Sequence, residues 1–167
     1  MNAVETKAQT AAQEADAPRR ICFVCTGNTC RSPMAEAMAN AWAEQLALPL
    51  EAFSRGLSVC PGDPISPFAL AALEEAGVPA LPHHDYHSHR ARPLTAEDAE
   101  SFDLLIGLTR RHAMAMLLQF PHLAPRITAL QADIPDPYGG DPDTYRLCLR
   151  AIQGAIRPLL AGEEETK

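Results

Sequence analysis

The chain has 167 residues, of which 47% are hydrophobic and 21% are charged, as is ordinary for a single globular domain. Its formal net charge of −7 argues against general nucleic-acid binding, because that activity depends on clustered lysine and arginine. The sequence contains no run of about 18 apolar residues, so we predict no membrane-spanning helix.

Taken in order, the chain begins with an arm, residues 1–18, that is rich in Ala, Glu, Gln and Thr and is expected to be disordered. The domain covers residues 19–161, and a frayed acidic tail, residues 162–167, follows. Within the domain, apolar runs alternate with helical patterns. Strands are predicted at residues 21–24, 51–54, 102–108 and 127–130. Helices are predicted from Pro33 onward and at residues 66–76, 96–101, 109–119 and 142–161. This alternation predicts a single α/β domain whose central four-stranded parallel sheet has helices on both faces.

The first strand leads into Cys-Thr-Gly-Asn-Thr-Cys-Arg, residues 25–31, the predicted phosphate loop. A strand, a tight loop and a helix form a phosphate cradle, because the loop amides and the helix N-terminus both favour an anion. This loop begins with Cys25 and ends with Arg31, whereas a nucleotide-binding loop would end in lysine. Arg31 can bind two phosphate oxygens at once, and its charge favours the thiolate form of Cys25. Ser32 is predicted to be the N-cap of the helix, with Pro33 as its first residue.

A second chemical segment, residues 131–143, is rich in Asp, Pro and Gly and is predicted to be a loop. Asp141 precedes a proline and is predicted to cap the last helix. Asp136 is followed by Pro137-Tyr138-Gly139, and a carboxylic acid held near bound phosphate could protonate a leaving group.

These two segments together resemble the low-molecular-weight protein tyrosine phosphatases, and the resemblance covers residues 20–161. It implies that Cys25 is the nucleophile, that Arg31 holds the phosphate, and that Asp136 is the general acid. It further implies phosphorylated protein substrates and no metal or cofactor. The loop residues expected to bind or support the phosphate are Thr26, Gly27, Asn28, Thr29, Cys30 and Ser32.

Two supporting roles also follow from the resemblance. The hydroxyl of Ser32 is expected to donate toward the sulfur of Cys25. His89 begins a His-Arg-Ala-Arg segment that matches a family element, and the resemblance implies that it hydrogen-bonds Asn28. Asparagine suits this position of the loop because it tolerates the left-handed backbone that the loop requires. Residues 83–89 contain several histidines, but their spacing fits no zinc signature, so we expect no metal there.

Thr29 stands where most tyrosine-directed members carry an aliphatic residue, and this form of the loop resembles the protein arginine phosphatase branch. The resemblance therefore implies that phosphoarginine is favoured. Cys60 lies in a loop that matches one wall of the family's substrate pocket, and the absence of a nearby aromatic residue favours a narrow aliphatic substrate. Tyr138 is common in tyrosine-directed members, so phosphotyrosine remains the alternative.

The sequence also permits other functions. Related arsenate reductases relay a disulfide through cysteines about seven residues apart, but here only Cys60 and Cys148 lie outside the N-terminal segment. Cys30 could pair with Cys25 as a reversible redox shield. A non-catalytic phosphate-binding module would not need Asp136. We expect a cytoplasmic monomer with reduced thiols, because the five cysteines have no scaffold-like spacing.

Overall fold

The computed structural model describes residues 17–164, and its centre is a four-stranded parallel sheet. The strands are β1 (Arg19–Cys25), β2 (Leu50–Gly56), β3 (Leu104–Gly107) and β4 (Ile127–Ala129). Their order is β2-β1-β3-β4, and every neighbouring pair is parallel. The predicted fold class is therefore confirmed.

Helices cover both faces of this sheet. They are α1 (Arg31–Gln45), α2 (Pro67–Glu75), α3 (Ala96–Glu100), α4 (Arg110–Gln119) and α5 (Pro142–Glu164). Apolar residues of α1, α2 and α5 form one core with the sheet, and residues of α3 and α4 contribute to a second core on the opposite face. Within residues 17–164, no helix is long and apolar enough to cross a membrane.

Side chains bind backbone amides in the first turns of α3 and α5. The side chain of Thr95 accepts a hydrogen bond from the amide of Asp98 (3.1 Å) at the start of α3. Asp141 likewise accepts from the amide of Thr144 (2.8 Å) at the start of α5. The α5 helix continues to Glu164, beyond the expected end near residue 161. The remainder of the expected arm and tail, residues 1–16 and 165–167, lies outside the described part of the chain.

One capping prediction is wrong. The first helix begins at Arg31, so Cys30 occupies the N-cap position and Ser32 lies within the first turn. The reason is that the Ser32 hydroxyl lies 2.9 Å from the sulfur of Cys25 and therefore does not close the end of the helix.

The parallel topology brings distant segments to one edge of the sheet. The last five residues of β1 are buried, and this strand ends at Cys25. The amide of Leu57, directly after β2, donates to the carbonyl of Cys25 (3.0 Å), and the amide of Ile134 donates to the carbonyl of Leu108 (3.0 Å), directly after β3. Ligands of open α/β sheets bind at this carboxyl edge.

The end of β2 offers a test of how tightly the phosphate loop is packed. A methyl group at Gly56 would lie 2.3 Å from Cγ1 of Val59 and 2.6 Å from the backbone carbonyl of Thr26. Because the backbone must move to relieve the second contact, Gly56→Ala is expected to lower the free energy of unfolding by about 1–3 kcal/mol. Urea unfolding measures this change, and a titration with inorganic phosphate should show weaker binding.

Gly154→Ala is the matched control, since Gly154 is an exposed residue of α5 and its added methyl group meets no atom within 4 Å. This control is expected to raise the free energy of unfolding by about 0.5–1 kcal/mol, because alanine favours the helix. A Gly56→Ala protein with unchanged stability and phosphate affinity would contradict the packing described here.

Candidate active site

The phosphate loop connects β1 to α1 and surrounds the buried thiol of Cys25. The Cys25 sulfur lies 2.9 Å from the hydroxyl of Ser32, as the resemblance implied. Asn28 has a φ angle of 56°, the left-handed conformation expected for this position. A left-handed residue inside such a loop turns successive amides toward a common centre, which makes an anion-binding concavity.

The side chain of Asn28, which is fully buried, fixes the shape of this loop. Its amide nitrogen donates to the hydroxyls of Ser32 (2.9 Å) and Ser54 (3.0 Å), and its side-chain oxygen accepts from the backbone amide of Arg92 (2.9 Å). Nε2 of His89 lies 2.7 Å from the backbone carbonyl of Asn28, so the predicted contact between these residues is confirmed. Burial lowers the pKa of His89, which favours a neutral ring that donates from this nitrogen.

A second layer of polar residues supports Asn28 from the side of β2 and α1. The hydroxyl of Ser54 donates to the carboxylate of Glu36 in α1. A nitrogen of His84 lies 3.6 Å from the same carboxylate, and its other ring nitrogen lies 2.9 Å from Glu51. The pKa of His84 is raised, chiefly by its interaction with Glu36, so the ring favours the cationic form. The loop is therefore braced by a continuous chain of hydrogen bonds and charges.

Arg31 joins the phosphate loop to the Asp-rich segment near the C-terminus. Its guanidinium donates to the backbone carbonyl of Ile134 (3.2 Å) and lies 3.6 Å from the carboxylate of Asp136. The Arg31 side chain is 8% exposed, whereas that of Asp136 is 56% exposed. The arginine is thus held in the floor of the site, while the aspartate stands at its mouth and remains accessible. Nothing in the sequence spacing alone places these two residues together, but the fold does.

His112 lies beside the loop on the side of α4. Its Nε2 atom lies 3.0 Å from the hydroxyl oxygen of Thr26, and its Nδ1 atom lies 2.9 Å from the hydroxyl oxygen of Thr109. Burial, together with the charge of Arg31, lowers the pKa of His112 to about 4. The ring is therefore neutral at physiological pH.

Tyr145 lies on the other side of the loop, in the first turns of α5. Its hydroxyl contacts the sulfur of Cys30 (3.5 Å) and the hydroxyl of Ser66 (3.3 Å). Burial and the contact with Cys30 raise the pKa of Tyr145 to about 12, so the phenol stays protonated. The ring of Phe68 packs edge-on against Tyr145, with 5.6 Å between the ring centroids.

The three residues predicted to form the substrate pocket lie on three different loops. Thr29 is half-buried in the phosphate loop, while Cys60 and Tyr138 are exposed on the two flanking loops. The described cysteines are all free thiols. Cys148 is buried in α5, where desolvation raises its pKa to about 12. No group of three or more potential metal ligands occurs in the part of the chain that the structure describes.

Sequence reasoning missed several residues that touch the site, and these are Glu36, Ser54, Ser66, His112 and Tyr145. Of these, His112 carried a usable signal. It follows Thr109 by three residues at the start of a helix that comes directly after a predicted strand, and such a helix begins at the carboxyl edge of the sheet. Ser54, which contacts Asn28, and Tyr145, which contacts Cys30, carried no signal, because these contacts depend on how helices and strands pack side by side.

Comparison with known proteins shows which family this chain is similar to. A family model described as low molecular weight phosphotyrosine protein phosphatase matches residues 20–167. A protein-arginine-phosphatase from Bacillus subtilis is 36% identical over 146 residues, which covers 83% of this chain and 93% of that protein.

Solved structures give the same result. The YwlE arginine phosphatase, as a cysteine-to-serine mutant with a phosphorylated active-site serine, superposes with a TM-score of 0.77 at 33% identity and covers 84% of this chain and 92% of its own. A low molecular weight protein tyrosine phosphatase from T. tengcongensis superposes with a TM-score of 0.79 at 35% identity. The match covers 86% of this chain and 99% of that chain. The family match spans nearly the whole described domain, and the chain therefore belongs to the low molecular weight phosphotyrosine protein phosphatase family.

Proposed function

We propose that this chain is a protein phosphatase that hydrolyses phosphorylated side chains through a cysteinyl-phosphate on Cys25, with phosphoarginine as its favoured substrate. The observation that carries the proposal is the arrangement of three groups around one concavity. The Cys25 sulfur lies against the Ser32 hydroxyl (2.9 Å), and the Arg31 guanidinium lies 3.6 Å from the carboxylate of Asp136. A nucleophile, an anion clamp and an acid are the components that phosphoryl transfer to a thiol requires.

In the first step the Cys25 thiolate attacks phosphorus while the bond from phosphorus to the leaving nitrogen or oxygen breaks. Protonated Asp136 gives its proton to the leaving group, which departs neutral. The charge on the equatorial phosphoryl oxygens is held by Arg31 and by the loop amides. The Ser32 hydroxyl stabilises the thiolate before the attack and when it is released.

In the second step a water molecule attacks the phosphorus of the cysteinyl-phosphate. Asp136, now a carboxylate, accepts a proton from that water, and the bond between sulfur and phosphorus breaks. Cys25 leaves as the thiolate and inorganic phosphate is released. The carboxylate is 56% exposed, so both the leaving group and the water can reach it. The proposed mechanism uses no metal or cofactor.

Thr29 supports the preference for phosphoarginine. Its backbone carbonyl accepts a hydrogen bond from the amide of Ser66 (2.8 Å), which fixes this residue against the adjoining loop. A polar hydroxyl here, in place of an aliphatic side chain, disfavours the apolar ring of phosphotyrosine beside the phosphate. Two relatives named protein-arginine-phosphatase are 36% and 34% identical to the chain.

Phosphotyrosine is the second candidate substrate, and one observation favours it. Tyr138 follows Asp136 closely and is 80% exposed, so its ring is available to stack on an aromatic substrate. Arsenate reduction finds less support, because Cys148 is buried with a raised pKa and Cys60 is exposed on a different segment. We further propose that the enzyme acts as a monomer on phosphorylated proteins in the cytoplasm, where its free thiols would remain reduced.

Replacing the nucleophile tests the mechanism. Cys25→Ser is expected to lower kcat by about 10⁴-fold or more, because a serine hydroxyl here lacks a base that would activate it. Binding of inorganic phosphate, measured by calorimetry, should persist because Arg31 and the loop amides remain. The control is Leu118→Ser at an exposed residue near the C-terminal end of α4, outside the site, which should leave kcat unchanged. Substantial turnover by Cys25→Ser would contradict the assignment of the nucleophile.

Replacing the acid tests the role of Asp136. Asp136→Asn removes the proton donor and should slow the first step by about 100-fold for substrates with poor leaving groups. Aryl phosphates whose leaving groups need no proton should be affected much less. Single-turnover rates across a series of aryl phosphates of different leaving-group pKa measure this difference. If the substitution slowed all members of the series equally, Asp136 would not be the acid.

Replacing Thr29 tests the basis of specificity. Thr29→Ile is expected to shift the ratio of kcat/KM toward a phosphotyrosine peptide by at least about tenfold, because an aliphatic side chain removes the polar group beside the phosphate. Two further variants separate the effect of side-chain shape from that of polarity. Thr29→Val keeps the branching at Cβ and removes the hydroxyl, whereas Thr29→Ser keeps the hydroxyl and removes the methyl group. An unchanged ratio in Thr29→Ile would mean that this residue only packs.

A further inference from the structure

The His112 ring is a buried titratable group that the proposed mechanism does not use. It belongs to the first turn of α4 and is 7% exposed. Its Nε2 atom lies 3.0 Å from the hydroxyl oxygen of Thr26, the residue directly after the nucleophile. Thr26 itself is exposed, unlike Cys25 and Asn28 on either side of it in the loop. The contact therefore links a fixed ring to a hydroxyl group at the surface of the site.

The hydrogen-bond pattern around Thr109 favours one of the two neutral forms of the His112 ring. The Thr109 hydroxyl oxygen accepts from the backbone amide of His112 (3.2 Å) and also lies 2.9 Å from Nδ1 of the same residue. A hydroxyl has one proton to give, and here the Nδ1 atom is the acceptor within reach. Of the two neutral forms of the ring, the form with its proton on Nε2 lets Nδ1 accept from Thr109 and so gives the Thr109 hydroxyl proton a partner. That N–H then donates to the hydroxyl oxygen of Thr26.

This arrangement determines where the hydroxyl proton of Thr26 points. Since the oxygen accepts from His112, its own proton cannot be directed at the ring. His112 is close enough to Arg31 and Asp136 for their charges to act on its ring, and these two residues flank the phosphate site. Thr26 belongs to the phosphate loop, so its hydroxyl joins the His112 ring to this loop.

The ring must stay neutral for this geometry to hold, because protonation of Nδ1 would break the bond that Thr109 donates. The charged groups that act on the ring are Arg31 from α1 and Asp133 and Asp136 from the Asp-rich loop. Burial and the cation Arg31 oppose a charge on the ring, and the two carboxylates favour it. The pKa is nevertheless lowered to about 4, so the neutral form prevails over the pH range in which the enzyme would work.

We propose that His112 is a positioning residue that directs the hydroxyl proton of Thr26 into the site, where Thr26 donates a hydrogen bond to the bound phosphoryl group. This inference rests on the proposed phosphatase function, and it adds His112 and a side-chain role for Thr26 to that site. Thr26 then contacts the substrate through its side chain as well as its backbone amide. His112 acts only through Thr26.

The test compares variants that keep or remove the hydrogen bond between His112 and Thr26, or the Thr26 hydroxyl itself. Thr26→Val and His112→Ala should each weaken binding of inorganic phosphate and lower kcat/KM by about tenfold, the loss of one hydrogen bond to a charged group. The double variant should be no weaker than either single variant, because both remove the same interaction. His112→Gln places its amide N–H near the position of Nε2 and should stay within about twofold of the unchanged protein, whereas His112→Asn places it near Nδ1 and should match His112→Ala.

The control is His122→Gln, a histidine that pairs with Glu100 on an exposed surface and should have no effect on either quantity. Nitrogen-15 NMR of the His112 ring provides a second readout that does not depend on turnover. A protonated Nε2 and an unprotonated Nδ1, unchanged from pH 7 to pH 5, are expected.

Several results would overturn the proposal: a Thr26→Val protein with unchanged phosphate affinity, additive effects in the double variant, equal behaviour of His112→Gln and His112→Asn, or a proton on Nδ1. If the unchanged protein hydrolysed no phosphorylated peptide, the proposed function would fail instead. In that case the phosphate affinities and the NMR spectrum of the same variants would still decide the role of His112.

Discussion

The site depends on the left-handed backbone of Asn28 and on the hydrogen bonds that hold it there. A φ angle of 56° is unfavourable for most residues, and Asn28 can keep it because its buried amide is bonded on both sides, to Ser32 and Ser54 and to the amide of Arg92. The same residue sets the direction of the loop amides, which must converge on the phosphate. The strands and helices that supply these partners come from separate parts of the chain, so the fold as a whole maintains one strained turn.

Arg31 makes the second connection on which the chemistry depends. It belongs to the first helix, yet its guanidinium bonds the carbonyl of Ile134 and lies near Asp136, more than a hundred residues later in the sequence. Burial of the arginine keeps it rigid, and exposure of the aspartate lets the acid reach a leaving group outside. The contacts of Arg31 with Ile134 and Asp136 therefore align the phosphate loop with the Asp-rich loop, and the site stays open to the substrate.

The sequence predicted the parts of the fold and site that depend on local pattern. The parallel sheet follows from the alternation of apolar runs and helices, and the cradle from the spacing of Cys25 and Arg31. Ser32 was predicted as a cap, and this was wrong because the start of a helix is uncertain by one or two residues and its hydroxyl had a competing partner, Cys25. The contacts of Tyr145 and Ser54 could not be predicted, since they arise from the side-by-side packing of elements that are distant in sequence.

The measurement that tests the central claim most directly is a comparison of initial rates on two peptides of the same sequence, one with phosphoarginine and one with phosphotyrosine. We predict phosphate release from both peptides, with a higher kcat/KM for the phosphoarginine peptide and no requirement for added metal. A higher kcat/KM for phosphotyrosine would contradict the assignment of the favoured substrate and would give Tyr138 the larger influence on the pocket. Release of phosphate from neither peptide would contradict the proposed function itself.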